Sequence, residues 1–261
     1  MDYGICIISL VPCREEANDK SQMVTQLLFG DLVKIIGQNE SWYKVQIVRD
    51  NYKTWVDKKQ LKLIDSNIFS QLSNSVYIHT EELVTPIQNT ESKMVQVLAM
   101  GSTIYNYNKE EKRFRIGELS FTMNGNVRAT EKKINRNQLV EDAFSYLNCP
   151  YLWGGKSPFG IDCSGFTQMV YSMNGKDLPR DAWQQAELGR PLSFIEEAKQ
   201  GDLAFFDNNE GKINHVGIML NDNKIIHASG QVRIDRIDHQ GIFRNDTNDY
   251  SHSLRIIKRM I

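Results

Sequence analysis

The spacing of hydrophobic residues predicts short β-strands through the first part of the chain. Apolar and β-branched runs of strand length alternate with turn residues, for example at Gly30-Asp31. Several short strands joined by regular turns are typical of a small β-barrel. We therefore predict a barrel over residues 1–65, with strands at 4–11, 32–36, 42–48 and 54–56.

A second β-type segment follows a polar stretch, residues 65–75, that we interpret as a linker. The segment looks like a more divergent copy of the first and forms a second predicted domain over residues 66–130. Its predicted strands are 76–78, 83–87, 94–99, 103–107 and 114–123.

Helical periodicity is strongest further along the chain. Phe166, Met169, Val170 and Met173 have the spacing of one helix face, and Gly175 is well placed to end the helix. The sequence therefore predicts a buried helix that begins close to Cys163.

Cys163 lies between Asp162 and Ser164 at the predicted start of this helix. The Asp162 carboxylate is a suitable N-cap, because it can accept hydrogen bonds from the free N–H groups of the first turn. The positive end of the helix dipole favours a thiolate there, as a nucleophile requires. A free cysteine is more often a small buried hydrophobe, but a position between two polar residues after a Gly/Pro-rich loop argues against that role.

The pattern around this helix predicts an α+β domain over residues 131–261. A helix near 139–147 ends before Pro150, and a short helix begins after Asp181 and ends at Gly189. Helices followed by antiparallel strands are the α+β order. The predicted strands are 203–206, 215–220, 224–228, 232–237 and 254–259.

Two histidines in these strands are candidates for the base that the cysteine needs and for the group that orients this base. The runs that contain His215 and His227 are separated by the turn residues 221–223, which predicts a β-hairpin in which the two histidines lie across from each other on one face. His215 would accept the Cys163 proton through Nδ1 or Nε2, and His227 would hold the imidazole in the right tautomer. A zinc site built from the same three residues is the alternative, although a fourth ligand and a closely spaced ligand pair are missing.

Composition and charge exclude several classes of protein. A net charge of −1 gives no long-range attraction to nucleic acid or to anionic membranes. The four cysteines have irregular spacing, unlike a disulfide or zinc framework. No run approaches the ~20 apolar residues of a membrane-spanning helix. The N-terminal segment has an acid at position 2 and no basic region, so we expect a cytoplasmic protein, or a periplasmic or secreted one if an export signal has been removed.

The order of the motifs resembles a known family, the NlpC-type cell-wall endopeptidases, which are papain-like cysteine peptidases with a Cys-His-His triad. The similarity lies in residues 162–166 (DCSGF), 201–203 (GDL), 215–218 (HVGI) and 226–228 (IHA). The first segment, with Trp42 and Trp55, resembles a bacterial SH3-like domain. The resemblance implies a multidomain fold, in which two small all-β SH3-like barrels precede an α+β papain-like cysteine peptidase domain.

This domain combination is similar to that of γ-D-glutamyl-L-diamino acid endopeptidases. The resemblance implies hydrolysis of the γ-D-Glu–diamino acid bond in murein tripeptides or tetrapeptides with a free N-terminal L-Ala. It also implies a monomer that needs no metal or organic cofactor. Cys163, His215 and His227 would form the triad, and Tyr151 would support the oxyanion.

The resemblance further implies two recognition sites. Asp31, Tyr52 and Asp162 would bind the substrate ammonium, although Asp31 is shorter than the family's usual Glu. Arg180 would bind a substrate carboxylate through two parallel hydrogen bonds, although Ala182 stands where relatives can carry Ser. The other residues assigned to substrate binding are Trp153, Ser164 and Asp181.

Two other functions remain open at this point. One is an amidase or acyltransferase that uses the same triad, which an unusual pocket at Asp31 and Tyr52 would favour. The other is a protein that only binds cell-wall peptides through its SH3-like domains. The presence of Cys163, His215 and His227 argues against the second function.

Overall fold

The computed structural model describes residues 2–130, 134–208 and 210–261. The chain divides into two compact units, Met1–Thr130 with Gly154–Pro158, and Glu131–Trp153 with Phe159–Ile261. The starts of the first and third predicted domains, residues 1 and 131, lie outside the described residues.

The first unit begins with a seven-stranded antiparallel sheet around an aliphatic core that includes Val33, Val45 and Val56. Its strands are β1 (Asp2–Ile5), β2 (Leu10–Arg14), β3 (Met23–Leu28), β4 (Leu32–Gln38), β5 (Trp42–Ile47), β6 (Lys53–Asp57) and β7 (Lys62–Ile64). Their order in the sheet is β3-β2-β6-β5-β4-β1-β7. The predicted strand 4–11 is in fact two strands. A continuous apolar run carries no alternation that would reveal the bend between them.

The predicted linker at 65–75 is wrong, because most of it is the helix α1 (Ser66–Ser73). The Asp65 carboxylate caps this helix by accepting hydrogen bonds from the N–H groups of Asn67 (2.8 Å) and Ile68 (2.9 Å). Phe69 and Leu72 are buried. Ile68 is partly buried and packs against the same core, so the N-cap and three apolar positions are enough to order a segment whose other residues are polar.

The second β-segment of this unit forms two sheets. Its strands are β8 (Ile78–Thr80), β9 (Val84–Asn89), β10 (Val95–Ala99), β11 (Thr103–Ile104), β12 (Arg113–Ile116), β13 (Leu119–Met123) and β14 (Val127–Ala129), and β15 (Lys156–Ser157) follows later in the chain. The sheet orders are β10-β9-β13-β12 and β11-β8-β14. The predicted strand 114–123 is a hairpin, which turns at Gly117 with φ +56°. Phe29 from the first segment packs edge-on against Phe114 and Phe121, so the two segments share a core.

The second unit has the predicted order of helices followed by antiparallel strands. Its elements are α2 (Arg136–Ser145), β16 (Gly160–Ile161), α3 (Cys163–Met173), α4 (Ala182–Ala186), β17 (Arg190–Pro191), β18 (Leu203–Asp207), β19 (Ile213–Met219), β20 (Lys224–Ser229), β21 (Gln231–Ile237), β22 (Gly241–Arg244) and β23 (Asp249–Arg259). The sheet order is β17-β23-β18-β19-β20-β21-β22, and β22 also pairs with β23, so the sheet closes on itself. Helix α3 is buried along its whole length and packs against β19 and β20.

The four cysteines are all buried and free of disulfide bonds. Within residues 2–130, 134–208 and 210–261, no helix combines the length and the apolar character needed to cross a bilayer.

Candidate active site

Helix α3 places Cys163 at its first position, as the sequence predicts. Asp162 is the N-cap, and its Oδ1 accepts a hydrogen bond of 2.7 Å from the N–H of Gly165. The thiol is 7% exposed. Its Sγ lies 4.0 Å from the carbonyl oxygen of Asn214, the residue before His215. Cys163 therefore lies against β19 at the position of the histidine.

The surroundings of Cys163 oppose the thiolate that the helix dipole favours. Burial, together with the negative charge of Asp162, raises the pKa of the thiol to about 12. The helix N-terminus favours the thiolate, but these two opposing effects are larger. These surroundings favour a neutral Cys163 thiol at rest, which loses its proton during the reaction.

The predicted hairpin is formed by β19 and β20, and it brings the two histidines together. His227 pairs with Gly217, so His215 is diagonal to His227 on the same face and not directly across from it as predicted. The Nε2 of His215 and the Nδ1 of His227 are 2.8 Å apart and share a hydrogen bond. This bond leaves Nδ1 as the available nitrogen of His215, whereas the sequence leaves the choice between Nδ1 and Nε2 open.

Gly217 is required for this contact. A Cβ atom at this position would lie 2.9 Å from the Cβ of His227 and 2.7 Å from Cδ1 of Ile225. The absence of a side chain therefore gives the His227 ring the room to reach His215. Sequence reasoning places Gly217 in a motif but does not assign this function, which depends on the pairing of the two strands.

Behind His227 lies a carboxylate that sequence reasoning did not find. The Oδ2 of Asp235, on β21, is 3.0 Å from the Nε2 of His227. Asp235 is 4% exposed and His227 is fully buried. His215, His227 and Asp235 thus form a hydrogen-bonded line across three neighbouring strands. The available signal was a charged residue at an inward-facing position of a strand.

His252 completes the surroundings of His215. Its ring stacks on the His215 ring at a centroid distance of 4.0 Å and an interplanar angle of 22°. Burial lowers the pKa of His252 to about 4. Burial also lowers the pKa of His215 well below 6.5, and the neighbouring His227 and His252 add to the effect. At neutral pH His215 is therefore a neutral imidazole that can accept a proton.

Arg180 is almost completely buried and makes a two-pronged ion pair with Asp162. Its Nη1 and Nη2 donate to Oδ1 and Oδ2 of Asp162 at 3.0 and 2.6 Å, and Nη1 also donates to the Ser164 hydroxyl at 2.9 Å. The guanidinium therefore fixes the N-cap of the nucleophile helix. Its role in binding a substrate carboxylate stays a prediction, as do the substrate roles of Asp162 and Ser164.

Tyr151 and Trp153 lie on the segment before α3. The pKa of Tyr151 is raised to about 12, first by burial and then by the nearby Cys163 and Asp162, so the phenol keeps its proton and can donate a hydrogen bond. Trp153 is 58% exposed, as a residue that contacts substrate can be. Asp181 precedes α4, and its N–H donates to Oε1 of Gln184 at 3.2 Å. The functions assigned to these three residues stay predictions.

Asp31 and Tyr52 belong to the first unit. Asp31 is 9% exposed, and its Oδ2 accepts a hydrogen bond of 2.9 Å from the N–H of Leu28. The N–H of Tyr52 donates to Oδ1 of Asp50 at 3.0 Å. Neither observation tests the predicted ammonium site.

Metal binding was the alternative use of the Cys and His residues. Among the residues that the structure describes, no group of three or more His, Cys, Asp or Glu side chains is arranged to hold a metal ion.

Comparison with known proteins supports a peptidase. The NlpC/P60 family model matches residues 148–249, which contain Cys163, His215 and His227. A curated relative from Bacillus subtilis, γ-D-glutamyl-L-lysine dipeptidyl-peptidase, is 31% identical over 78% of this chain and 71% of its own. The chain belongs to the NlpC/P60 family. The family members that carry the name γ-D-glutamyl-L-lysine dipeptidyl-peptidase are cysteine hydrolases. This NlpC/P60 protein is a cysteine peptidase of the cell-wall peptide-hydrolase type.

Other comparisons of this NlpC/P60 protein extend beyond residues 148–249. The bacterial dipeptidyl-peptidase SH3 domain model matches residues 13–61, which confirms the first SH3-like domain. Dipeptidyl-peptidase 6 from Lysinibacillus sphaericus is 25% identical over 93% of this chain and 95% of its own. The crystal structure of an NlpC/P60 family protein from Bacillus cereus matches with a TM-score of 0.84, 19% identity and 99% coverage of both chains, a likeness of fold.

Proposed function

We propose that this NlpC/P60 protein hydrolyses the bond between γ-D-Glu and the diamino acid in murein tripeptides and tetrapeptides with a free N-terminal L-Ala. Cys163 is the nucleophile, His215 the base, and His227 its orienting group. The observation that carries this proposal is the 2.8 Å hydrogen bond between the two imidazoles, beside a cysteine at a helix N-terminus. The bond specificity is supported by the name of the Bacillus subtilis relative.

The reaction follows from the neutral starting state. The Sγ of Cys163 attacks the γ-carbonyl carbon while its proton passes to Nδ1 of His215. The tetrahedral intermediate collapses as the C–N bond breaks, and the leaving amine takes that proton. Water then attacks the thioester with His215 again as base, which releases the acid and restores the thiol. Tyr151 and the backbone N–H of Cys163 are the proposed donors to the oxyanion.

Selection of the free amine is assigned to the first unit. Asp31 is a nearly buried carboxylate, and such a group can compensate an ammonium that loses its water on binding. The hydroxyl of Tyr52 is the second proposed acceptor for this ammonium. Asp162 would have to share its charge, because both of its oxygens are already bound by Arg180. We therefore give Asp31 the larger part in amine recognition.

The domain arrangement that accompanies this activity is an SH3-like domain at residues 1–65, a second at 66–130 and the peptidase at 131–261. The second domain is supported by the separate sheets of strands β8–β14. We propose that it acts as a spacer or packing module, because it shares a hydrophobic core with the first segment.

A paired digestion tests the function. L-Ala-γ-D-Glu-diamino acid tripeptide is offered with a free amine or N-acetylated, and products are read by mass spectrometry. We expect cleavage of the free peptide alone, between D-Glu and the diamino acid, and no cleavage by Cys163→Ala. Asp31→Asn should reduce the difference in cleavage between the free and the N-acetylated peptide. Asp19→Asn, which changes an exposed carboxylate of the same unit, should leave that difference unchanged.

Two results would change the assignment. Equal cleavage of both peptides would contradict the proposed amine site at Asp31 and Tyr52 and favour a cell-wall hydrolase of broader specificity. No cleavage of either, with Cys163 still reactive toward a thiol reagent, would favour an amidase or acyltransferase.

A further inference from the structure

Asp235 is a buried charge that the proposed reaction does not yet use. Its Oδ2 is 3.0 Å from Nε2 of His227, at the far end of the line that leads to His215. An ionised carboxylate has no proton to donate, so Nε2 of His227 must carry the hydrogen in this contact. The tautomer of His227 is therefore set by a residue outside the predicted triad.

The consequence extends to His215. A neutral His227 with its hydrogen on Nε2 has a lone pair on Nδ1, and this lone pair must accept the hydrogen bond from Nε2 of His215. His215 then has its own lone pair on Nδ1, the nitrogen left for the thiol. We propose that Asp235 is a positioning residue that fixes the tautomers of both histidines and so keeps Nδ1 of His215 ready as the base. This inference rests on the proposed role of His215.

Asp235 is held in place and kept ionised by arginine. Nη2 of Arg233 donates to its Oδ1 at 2.9 Å, and Nε of Arg233 lies 2.7 Å from Oδ2. Arg233 also pairs with Asp246 at 3.2 Å, and Asp246 pairs with Arg244 at 2.6 Å. Burial works to raise the pKa of Asp235, but the hydrogen bonds from His227 and Arg233 outweigh it and leave the pKa below its usual range.

The strand pairing explains why one acid can act on two histidines. On β21, Asp235 lies opposite Ile225 and diagonal to His227, in the same way that His215 is diagonal to His227 on β19. The three side chains thus follow one diagonal across the sheet face. A rigid sheet holds this geometry better than a loop would.

Asparagine at position 235 gives a sharp test, because it keeps the shape and loses the charge. With its oxygen accepting from Nη2 of Arg233, its amide N–H₂ takes the place of Oδ2 and faces Nε2 of His227, and Nε of Arg233, 2.7 Å from that position, must move away. That arrangement reverses both tautomers and places a hydrogen on Nδ1 of His215, where it blocks proton transfer from the thiol. We expect Asp235→Asn to lower kcat about 10²- to 10⁴-fold with little change in KM, because the base is held in the wrong tautomer. Asp235→Glu, which keeps the carboxylate, should recover part of the loss.

The control is Asp142→Asn, which changes an equally buried carboxylate bonded to Gln138 and Asn174 rather than to histidine. It should lower the melting temperature without changing kcat. Histidine ¹⁵N NMR should show His215 protonated on Nε2 in the wild type and on Nδ1 in Asp235→Asn. A folded Asp235→Asn with wild-type kcat, or with an unchanged His215 tautomer, would overturn the inference.

A double-mutant cycle separates positioning from stability. If Asp235 acts only through His227, Asp235→Asn should cost no further kcat in a His227→Ala background. Additive losses would mean a general structural role. The inference and the proposed function fail differently. A His215→Ala variant that keeps its activity would contradict the proposed function. An inactive His215→Ala variant together with a fully active Asp235→Asn variant would contradict only the inference about Asp235.

Discussion

His79 and His215 are both buried imidazoles on β-strands, with 1% and 5% of their surfaces exposed. Burial lowers the pKa of each well below 6.5, helped by the positive charge of Arg49 at His79 and by two neighbouring histidines at His215. Neither burial nor a lowered pKa therefore distinguishes a catalytic histidine from a structural one in this molecule. The difference lies in what each ring nitrogen contacts.

Both nitrogens of His79 are occupied. Nδ1 is 3.1 Å from the carbonyl oxygen of Gly101, to which it must donate, and Nε2 is 3.4 Å from Nη1 of Arg49, from which it must accept. His215 instead uses Nε2 to donate to His227. Within the described part of the chain, its Nδ1 has no hydrogen-bond partner and keeps a free lone pair. The two histidines thus have opposite tautomers, and only the second can act as a base.

The strongest test of this comparison is to remove each imidazole ring in turn. His215→Ala should lower kcat about 10⁴-fold or more, because the thiol loses its proton acceptor. His79→Ala should leave kcat unchanged and lower the free energy of unfolding by about 1–3 kcal/mol, because buried polar groups lose their partner. Steady-state kinetics and denaturant unfolding measure both. A large loss of kcat in a folded His79→Ala would contradict the distinction.

A smaller loss is expected when the contact between the rings is crowded. Gly217→Ala should displace His227 and lower kcat about 100-fold, because a shift of about 1 Å at a catalytic group can cost that much. The matched control is Gly37→Ala in β4, where the added Cβ meets only the Cβ of Lys44 at 3.5 Å. If Gly217→Ala keeps wild-type kcat, the rings do not need their present spacing.

The pH dependence of activity should reflect the lowered pKa of His215. His215 must be unprotonated to accept the thiol proton, and its lowered pKa keeps it unprotonated below pH 6.5. The acid limb of the kcat/KM profile should therefore lie below pH 6.5. A limb at or above that pH would mean that the base titrates like a solvent-exposed histidine or that another group controls the step.

The parts of the site that sequence reasoning found are encoded locally. Asp162 and Cys163 are adjacent to the helix that they begin, and the turn at 221–223 lies between the two strands that carry His215 and His227. Local capping and turn chemistry were enough to predict these elements.

The parts of the site that sequence reasoning missed depend on the pairing of strands that are far apart in the chain or on their exact register. Asp235 reaches His227 only through the register of β20 and β21, and His252 lies on the last strand of a closed sheet. The raised pKa of the Cys163 thiol was also not predicted, because burial is a property of the folded domain and the helix dipole is a property of the helix alone. The same limit applies to the ion pair of Arg180 with Asp162, which sequence reasoning did not predict.

The central claim is that His215 rests as a neutral imidazole with its hydrogen on Nε2, and ¹⁵N NMR of the histidine side chains at neutral pH measures this directly. His215→Ala and His79→Ala assign the two signals. We predict an Nε2-protonated His215 and an Nδ1-protonated His79 in the same spectrum. A His215 protonated on Nδ1, or on both nitrogens as in a thiolate–imidazolium pair, would contradict the account.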